Sequence, residues 1–201
     1  MPVRIFILRR FIRECHFPNI MHHAFTTKHT GRVRVLTTKV GICLPVTPDE
    51  IKNSNIEIKQ YTAIWDTGAT NSVITKKVVD DLALKPINVV KTNHAGGTSM
   101  ANVYLVNIDL PMGVMAGQVR VTEAQLTDND GISESEQSRV LIGMDIIGTG
   151  DFAVTNFDNK TMMSFRIPSV EAIDFVPTAR DHNVMEGGNR QQRRALKSKR
   201  K

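Results

Sequence analysis

The sequence predicts a mainly β protein, a small barrel or sandwich of short strands with one or two short helices. Three observations carry this. Apolar and polar residues alternate with period two in several segments, most cleanly over 102–110, where Tyr104, Val106, Ile108 and Leu110 share a face. Turn-forming residues punctuate the chain at short intervals, at Pro45 and Pro48, at Pro111-Met112-Gly113 and at Asp158-Asn159-Lys160. Helical spacing is confined to brief stretches, the pattern expected of a small all-β domain.

Taken in order, residues 33–44 read as a strand, with Val33, Val35, Thr37 and Lys39 alternating against Arg34, Leu36, Thr38 and Val40. Pro45 and Pro48 end it, and 45–55 reads as a surface loop. Residues 56–65 form the next strand and deliver Asp66. Val78, Val79, Leu82 and Leu84 have near-helical spacing, which fits a short helix or a strand followed by a turn before Pro86. Residues 87–92 lead into a glycine-containing segment, and 114–124 is a strand with Val119 and Val121 facing opposite to Gln118, Arg120 and Thr122. The polar, acidic stretch 127–138 reads as an exposed loop. A buried strand at 140–142 precedes a short helix at 144–147, stopped by Gly148 and Gly150. Residues 151–157 and 161–167 form a hairpin. Beyond Pro168 the periodicity weakens, and 189–201 reads as a solvated, flexible tail. The expected organisation is a basic, poorly ordered extension over 1–32, a domain over 33–168, and a C-terminal extension with a basic tail over 169–201.

The net charge of +6 hides a segregation. Residues 1–40 hold eight Lys/Arg and one acid, and 187–201 hold seven Lys/Arg and no acid. The body between them, 41–186, holds eleven basic and nineteen acidic residues. An acidic body argues against a nucleic-acid-binding core and leaves nucleic acid as a partner only through the basic tails. Cys15 and Cys43 give no disulfide framework, which favours a reducing compartment and a cytoplasmic location. No apolar run approaches the roughly 20 residues of a membrane span, and 5–8 is too short for a signal-peptide core. Cys15, His16, His22, His23 and His29 match no zinc spacing, so no metal and no cofactor are expected.

The most informative stretch is Ile64-Trp65-Asp66-Thr67-Gly68-Ala69-Thr70. An alternating strand ends in a single carboxylate, followed by a hydroxyl, a glycine and small residues. Gly68 lets the backbone turn sharply and approach another group. A carboxylate at the end of a buried strand is costly unless it is hydrogen-bonded or shares a proton, so such a position points to a working site. Trp65, just before the turn, is expected to pack in the core.

Asp66-Thr67-Gly68 resembles the active-site turn of aspartic proteases. Leu141-Ile142-Gly143-Met144-Asp145-Ile146-Ile147 resembles the second signature of the retropepsin-like (retroviral-like) class, and Asn93-His94-Ala95-Gly96-Gly97-Thr98 lies between the two like the flap of that class. The resemblance covers residues 33–168 and implies a closed, barrel-like acid-protease fold, active as a symmetric homodimer. It implies that Asp66 is catalytic, that Thr67 and Gly68 form the turn and contact the partner, and that Ala69 and Thr70 line the substrate groove. It also implies that His94, Ala95, Gly96 and Gly97 form the flap. The partners implied are a second copy of the chain and a peptide or protein substrate.

Two places depart from the viral pattern. Thr70 and Met144 stand where retroviral enzymes often carry an acid and an arginine, so that ion pair is absent and the chain is more similar to cellular and bacterial members. Asp145 follows Gly143-Met144 and is not a second Asp-Thr-Gly, which leaves one catalytic carboxylate per chain. Two other functions stand beside the peptidase: a non-catalytic dimerisation module of the same fold, and a nucleic-acid-associated protein acting through its basic ends.

Overall fold

The structure is a computed structural model that describes residues 4–7, 21–47, 50, 56–94, 97–126, 133 and 137–198. Its chain divides into two compact units, Met1–Ser169 and Val170–Lys201. The first is almost entirely β. Its strands are β1 (Arg4–Ile7), β2 (His23–Lys28), β3 (Thr37–Cys43), β4 (Lys59–Trp65), β5 (Val73–Ile74), β6 (Asn88–His94), β7 (Gly97–Leu110), β8 (Val114–Glu123), β9 (Ser138–Ile142), β10 (Asp151–Thr155) and β11 (Met162–Ile167). Short α-helices lie between them among the described residues, α1 (Lys76–Asp81) and α2 (Met144–Ile147).

Six strands close on themselves in the order β8-β5-β9-β4-β3-β7, with β7 pairing back onto β8. Closure pairs each of these six strands on both sides and leaves β1 and β6 as the ends of the sheet. β1 pairs with the early half of β8 and β6 with β7. The core of this barrel is aliphatic. Ile42, Ala63, Ile74, Val78, Val106, Ile108, Val119, Val121, Val140 and Ile142 are fully buried, each large one contributing roughly 1.5–3 kcal/mol. Thus the closed β fold and its short helices agree with the sequence, and the ambiguous 75–84 stretch is a helix over Lys76–Asp81 that ends in a turn.

β3 departs from simple alternation. Val40, Gly41, Ile42 and Cys43 are buried in succession, because this strand lies between β4 and β7 and its second face is covered too. A Cβ at Gly41 would collide with the Ile58 side chain and press on the Asp109 Cβ of β7 at 3.1 Å, so a side chain here would force its neighbours to shift. Burial pushes the Cys43 thiol up to about 11, which leaves it a small packing residue and not a nucleophile. β7 and β8 shift register between Val106 and Ile108. There the fully buried Asn107 replaces the missing ladder bond, its Oδ1 accepting the Gln118 N–H at 2.7 Å while its Nδ2 donates to the Val46 carbonyl at 2.9 Å.

A second sheet, β10-β11-β2, packs an aromatic cluster against the barrel. Trp65 is 4 % exposed and stacks on Phe152 at 5.8 Å, with Phe25 and Phe165 tilted against it at 5.5 and 5.1 Å. Its indole N–H donates to Thr38 Oγ1 at 2.9 Å. The sequence-based boundary at residue 33 falls after β2, although β2 pairs with β11 over six residues and Phe25 joins the cluster. Its alternation of Ala24, Thr26 and Lys28 against His23, Phe25 and Thr27 is weakly hydrophobic, and its partner lies far along the chain.

The second unit holds α3 (Phe175–Gly187) and α4 (Arg190–Ser198). The sequence suggests a flexible tail over 189–201, whereas 190–198 is helical. The missed signals are caps. Asp174 accepts the Val176 N–H at 2.9 Å, and Asn189 and Gln192 bond reciprocally, each side chain to the other's backbone N–H, at 2.9 and 3.0 Å. No helix among the described residues is long and apolar enough to cross a membrane. The expected acidic loop lies largely outside the described residues, as do Cys15, Ala95, Gly96 and 199–201.

Candidate active site

The sequence places Asp66 by threading β9 between β4 and β5. β9 runs parallel to β4, pairing Trp65 with Ile142, and antiparallel to β5, pairing Val73 with Leu141. The ladder continues one step past β4, where the Asp66 N–H donates to the Ile142 carbonyl at 3.0 Å. The carboxylate thus leaves the barrel wall at a position fixed by two strands that are far apart in sequence.

The turn folds back at once. Gly68 N–H donates to Asp66 Oδ1 at 2.8 Å, and Ala69 N–H to the Asp66 carbonyl at 3.3 Å. A Cβ at Gly68 would sit 3.2 Å from Asp66 Oδ1, so a side chain there would crowd the carboxylate. Asp66 itself is half-buried, and the outward side of the turn is open: Thr67, Gly68, Thr70 and Asn71 are exposed or half-exposed. The sequence suggests a buried carboxylate. Within a single chain its strand is buried, but the described residues do not close over the turn.

Beyond the turn, the chain is pinned to α2. The first N–H groups of a helix have no partner within the helix. Here Met144 N–H donates to the Ala69 carbonyl at 2.8 Å and Asp145 N–H to the Thr70 carbonyl at 3.1 Å. Gly143 is the N-cap of α2, and its lack of a side chain is required by packing. An added Cβ would lie 2.6 Å from the Asn71 carbonyl carbon and 3.0 Å from the Ala69 oxygen. The glycine of the second signature therefore exists to let helix and turn touch backbone to backbone.

Ser72 and Asp145 complete the attachment, and sequence reasoning does not pair them. Ser72 is fully buried. Its N–H donates to Asp145 Oδ2 at 3.1 Å and its hydroxyl to Asp145 Oδ1 at 2.8 Å, while the hydroxyl oxygen accepts the Gly143 N–H at 3.1 Å. Asp145 Oδ1 also accepts the Ile146 N–H at 3.1 Å. A serine just past an Asp-Thr-Gly turn and an acid in the first turn of a four-residue helix are the available signals.

At the far end of the β6–β7 hairpin, His94 pairs with Gly97 and Asn93 with Thr98. Gly97 has φ +118°, a conformation that favours glycine. Thr92 Oγ1 donates to the Ser99 carbonyl at 3.2 Å and stitches the arm together. Met100 and Val89 are exposed along it. A separate concavity of about 540 Å³, lined by Lys39, Gln60, Thr62, Lys77 and Arg139 among others, contains none of the turn residues.

Residues 51–146 match the family model described as aspartyl protease. No curated protein matches the sequence. Among solved structures, the chain is similar to a retropepsin-like aspartic protease from Rickettsia conorii, at 13% identity over 73% of this chain and 95% of that one, with a TM-score of 0.43. It is also similar to the simian foamy virus protease, at 14% identity over 55% and 92% with a TM-score of 0.32, and to the EIAV protease, at 18% over 57% and 86% with a TM-score of 0.35. The matched residues 51–146 hold both the turn at Asp66 and the start of α2, and over them the chain is similar to the aspartyl protease family.

Proposed function

We propose that this protein is an aspartic endopeptidase whose two-carboxylate centre forms when two copies pair, each supplying Asp66. The observation that carries the reading is the turn itself: one carboxylate held at a barrel rim by Gly68 N–H, with Thr67, Gly68 and Thr70 open beside it. A single chain carries one such turn. A two-fold interface sets the same residue of each copy on the axis, so one Asp becomes two.

Two carboxylates a few ångströms apart do not both ionise, so one keeps a proton while the other is charged. Aspartic proteases hold one proton between two Asp carboxylates for this reason. The charged member takes a proton from a water held between the pair, and that water attacks the scissile carbonyl. The protonated member donates to the carbonyl oxygen, and a proton then passes to the leaving amine. The titration belongs to the pair. No metal or cofactor enters this chemistry.

Peptide substrate lies extended, bound through its main chain as an added strand, with Ala69 and Thr70 lining the groove. The β6–β7 arm, which His94 and Gly97 end, closes over it with the exposed Met100 and Val89 offering apolar contact, and the flap role extends to Ala95 and Gly96 by their place in the sequence. Cleavage of a peptide library by the purified protein tests the reading, with Asp66→Asn as the control. Failure to cleave any member at micromolar protein would favour a non-catalytic dimerisation module of the same fold.

Two consequences concern assembly. Activity falls faster than linearly on dilution below the dimer dissociation constant, because each chain holds half of the centre. Turnover per chain that stays flat while sedimentation reports monomer would refute a shared site. Thr67→Ala weakens the dimer more than the chemistry. Its hydroxyl lies beside the axis and each bond is made twice, at about 0.5–1.5 kcal/mol apiece, which corresponds to roughly 5–150-fold in dissociation constant. Activity returns at high protein concentration. If the variant dimerises as tightly as the parent, Thr67 is not at the interface.

A further inference from the structure

The basic C-terminal run is a helix with a defined start, and its charged positions fall on one side. α4 begins after the reciprocal Asn189/Gln192 cap. At 100° per residue, positions 190, 193, 194 and 197 fall within one arc of about 100°. All four are Arg or Lys. They span about 10 Å of helix axis at 1.5 Å per residue. Gln192, Ala195 and Leu196 occupy positions on the opposite side, and no acid occurs anywhere from 187 onward.

Such a helix is electrostatically unfavourable alone. Arg190/Arg194 and Arg193/Lys197 are like-charge pairs four residues apart, which destabilise an isolated helix. Arg190 also sits in the first turn, where the helix dipole opposes a cation. A partner that neutralises several charges at once along a 10 Å line relieves both penalties.

We propose that α4 is a nucleic-acid-binding helix that lays its Arg190, Arg193, Arg194 and Lys197 face along the phosphate backbone of a duplex. An α-helix fits the major groove of B-DNA, about 12 Å wide, and arginine-rich helices also engage structured RNA. The shared chemistry is a polyphosphate backbone. A membrane surface fits less well, since an interfacial helix needs an apolar face rich in large side chains, and α4 offers Ala195 and Leu196 alone. The residues involved, 189–198, belong to the second unit, and their role does not depend on Asp66.

The test is fluorescence anisotropy of the full chain with mixed-sequence duplexes of about 20 base pairs, DNA and RNA, at roughly 50–200 mM salt, beside vesicles containing phosphatidylserine. Four phosphate contacts give a slope of about −3 to −4 in log affinity against log salt, or roughly 100-fold weaker binding across that range. The combined variant R190Q, R193Q, R194Q, K197Q keeps good helix formers. It is expected to bind at least about 10-fold more weakly at roughly 100 mM salt, with the slope shallower by about 3. Ala195→Pro keeps every charge and breaks the helix, so it too should weaken binding severalfold. Preference between the two duplexes identifies the source of the phosphates, and either supports the proposal. It is overturned if the glutamine variant binds with the parent's affinity and slope, if Ala195→Pro binds like the parent, or if vesicles are bound while neither duplex is.

Discussion

Asp66→Asn is expected to reduce peptide hydrolysis by at least about 10³-fold while leaving the fold and the dimer in place. General acid–base transfer by a placed side chain is worth roughly 10²–10⁴-fold, and here one residue supplies both halves of the centre. The amide is nearly isosteric with the carboxylate. Its Oδ1 can still accept the Gly68 N–H, which is 2.8 Å away, so the turn keeps its local bond. The chemistry it loses is specific: it takes no proton from water and shares none with its twin. A residue that merely shapes the turn would tolerate this change, which separates a catalytic role from a structural one. The measurement is turnover on a cleaved peptide, with circular dichroism and sedimentation on the same sample. Turnover within a few-fold of the parent, on folded dimer, would remove Asp66 from the reaction.

What the sequence makes legible follows from range. The turn at 66–70, the strand before it and the 144–147 helix are local patterns, and the structure has Lys59–Trp65 and Met144–Ile147 where spacing puts them. Closure of the six strands into a barrel is legible only as a class, since pairing β9 between β4 and β5 depends on contacts no local window contains. β2 escapes for the same reason: a short, weakly apolar segment becomes a strand because β11 is there to receive it. α4 escapes differently. Its caps are local and readable, but a run of cations with almost no apolar residue carries no hydrophobic period. At the site, Asp66 is legible because its neighbours are unusual. Ser72 and Asp145 are not, because each is ordinary alone and their meaning lies in the contact between them.

That contact yields the second large effect. Asp145→Ala is expected to cost about 2–4 kcal/mol of stability, from the loss of three hydrogen bonds and the exposure of a buried, unpaired donor. Ser72 is fully buried, so its N–H has no water to turn to once Asp145 Oδ2 is gone. Its hydroxyl loses Oδ1 as acceptor, and Ile146 N–H at the start of α2 loses the same oxygen. For a chain of this size the melting temperature should fall by roughly 5–15 °C. Asp145→Asn should cost less, since an amide oxygen in the Oδ1 place still accepts from the Ser72 hydroxyl and the Ile146 N–H, while its NH₂ group faces the Ser72 N–H. Ser72→Ala removes the hydroxyl from both Asp145 and Gly143 N–H, and the double variant should lose clearly less than the two single losses added, as for groups in one network. The same attachment carries the turn, because Ala69 and Thr70 hang on Met144 and Asp145 N–H. Activity should therefore fall in Asp145→Ala even at temperatures where the barrel remains folded. An unchanged melting temperature, or strictly additive losses in the double variant, would mean that the turn is held without this carboxylate.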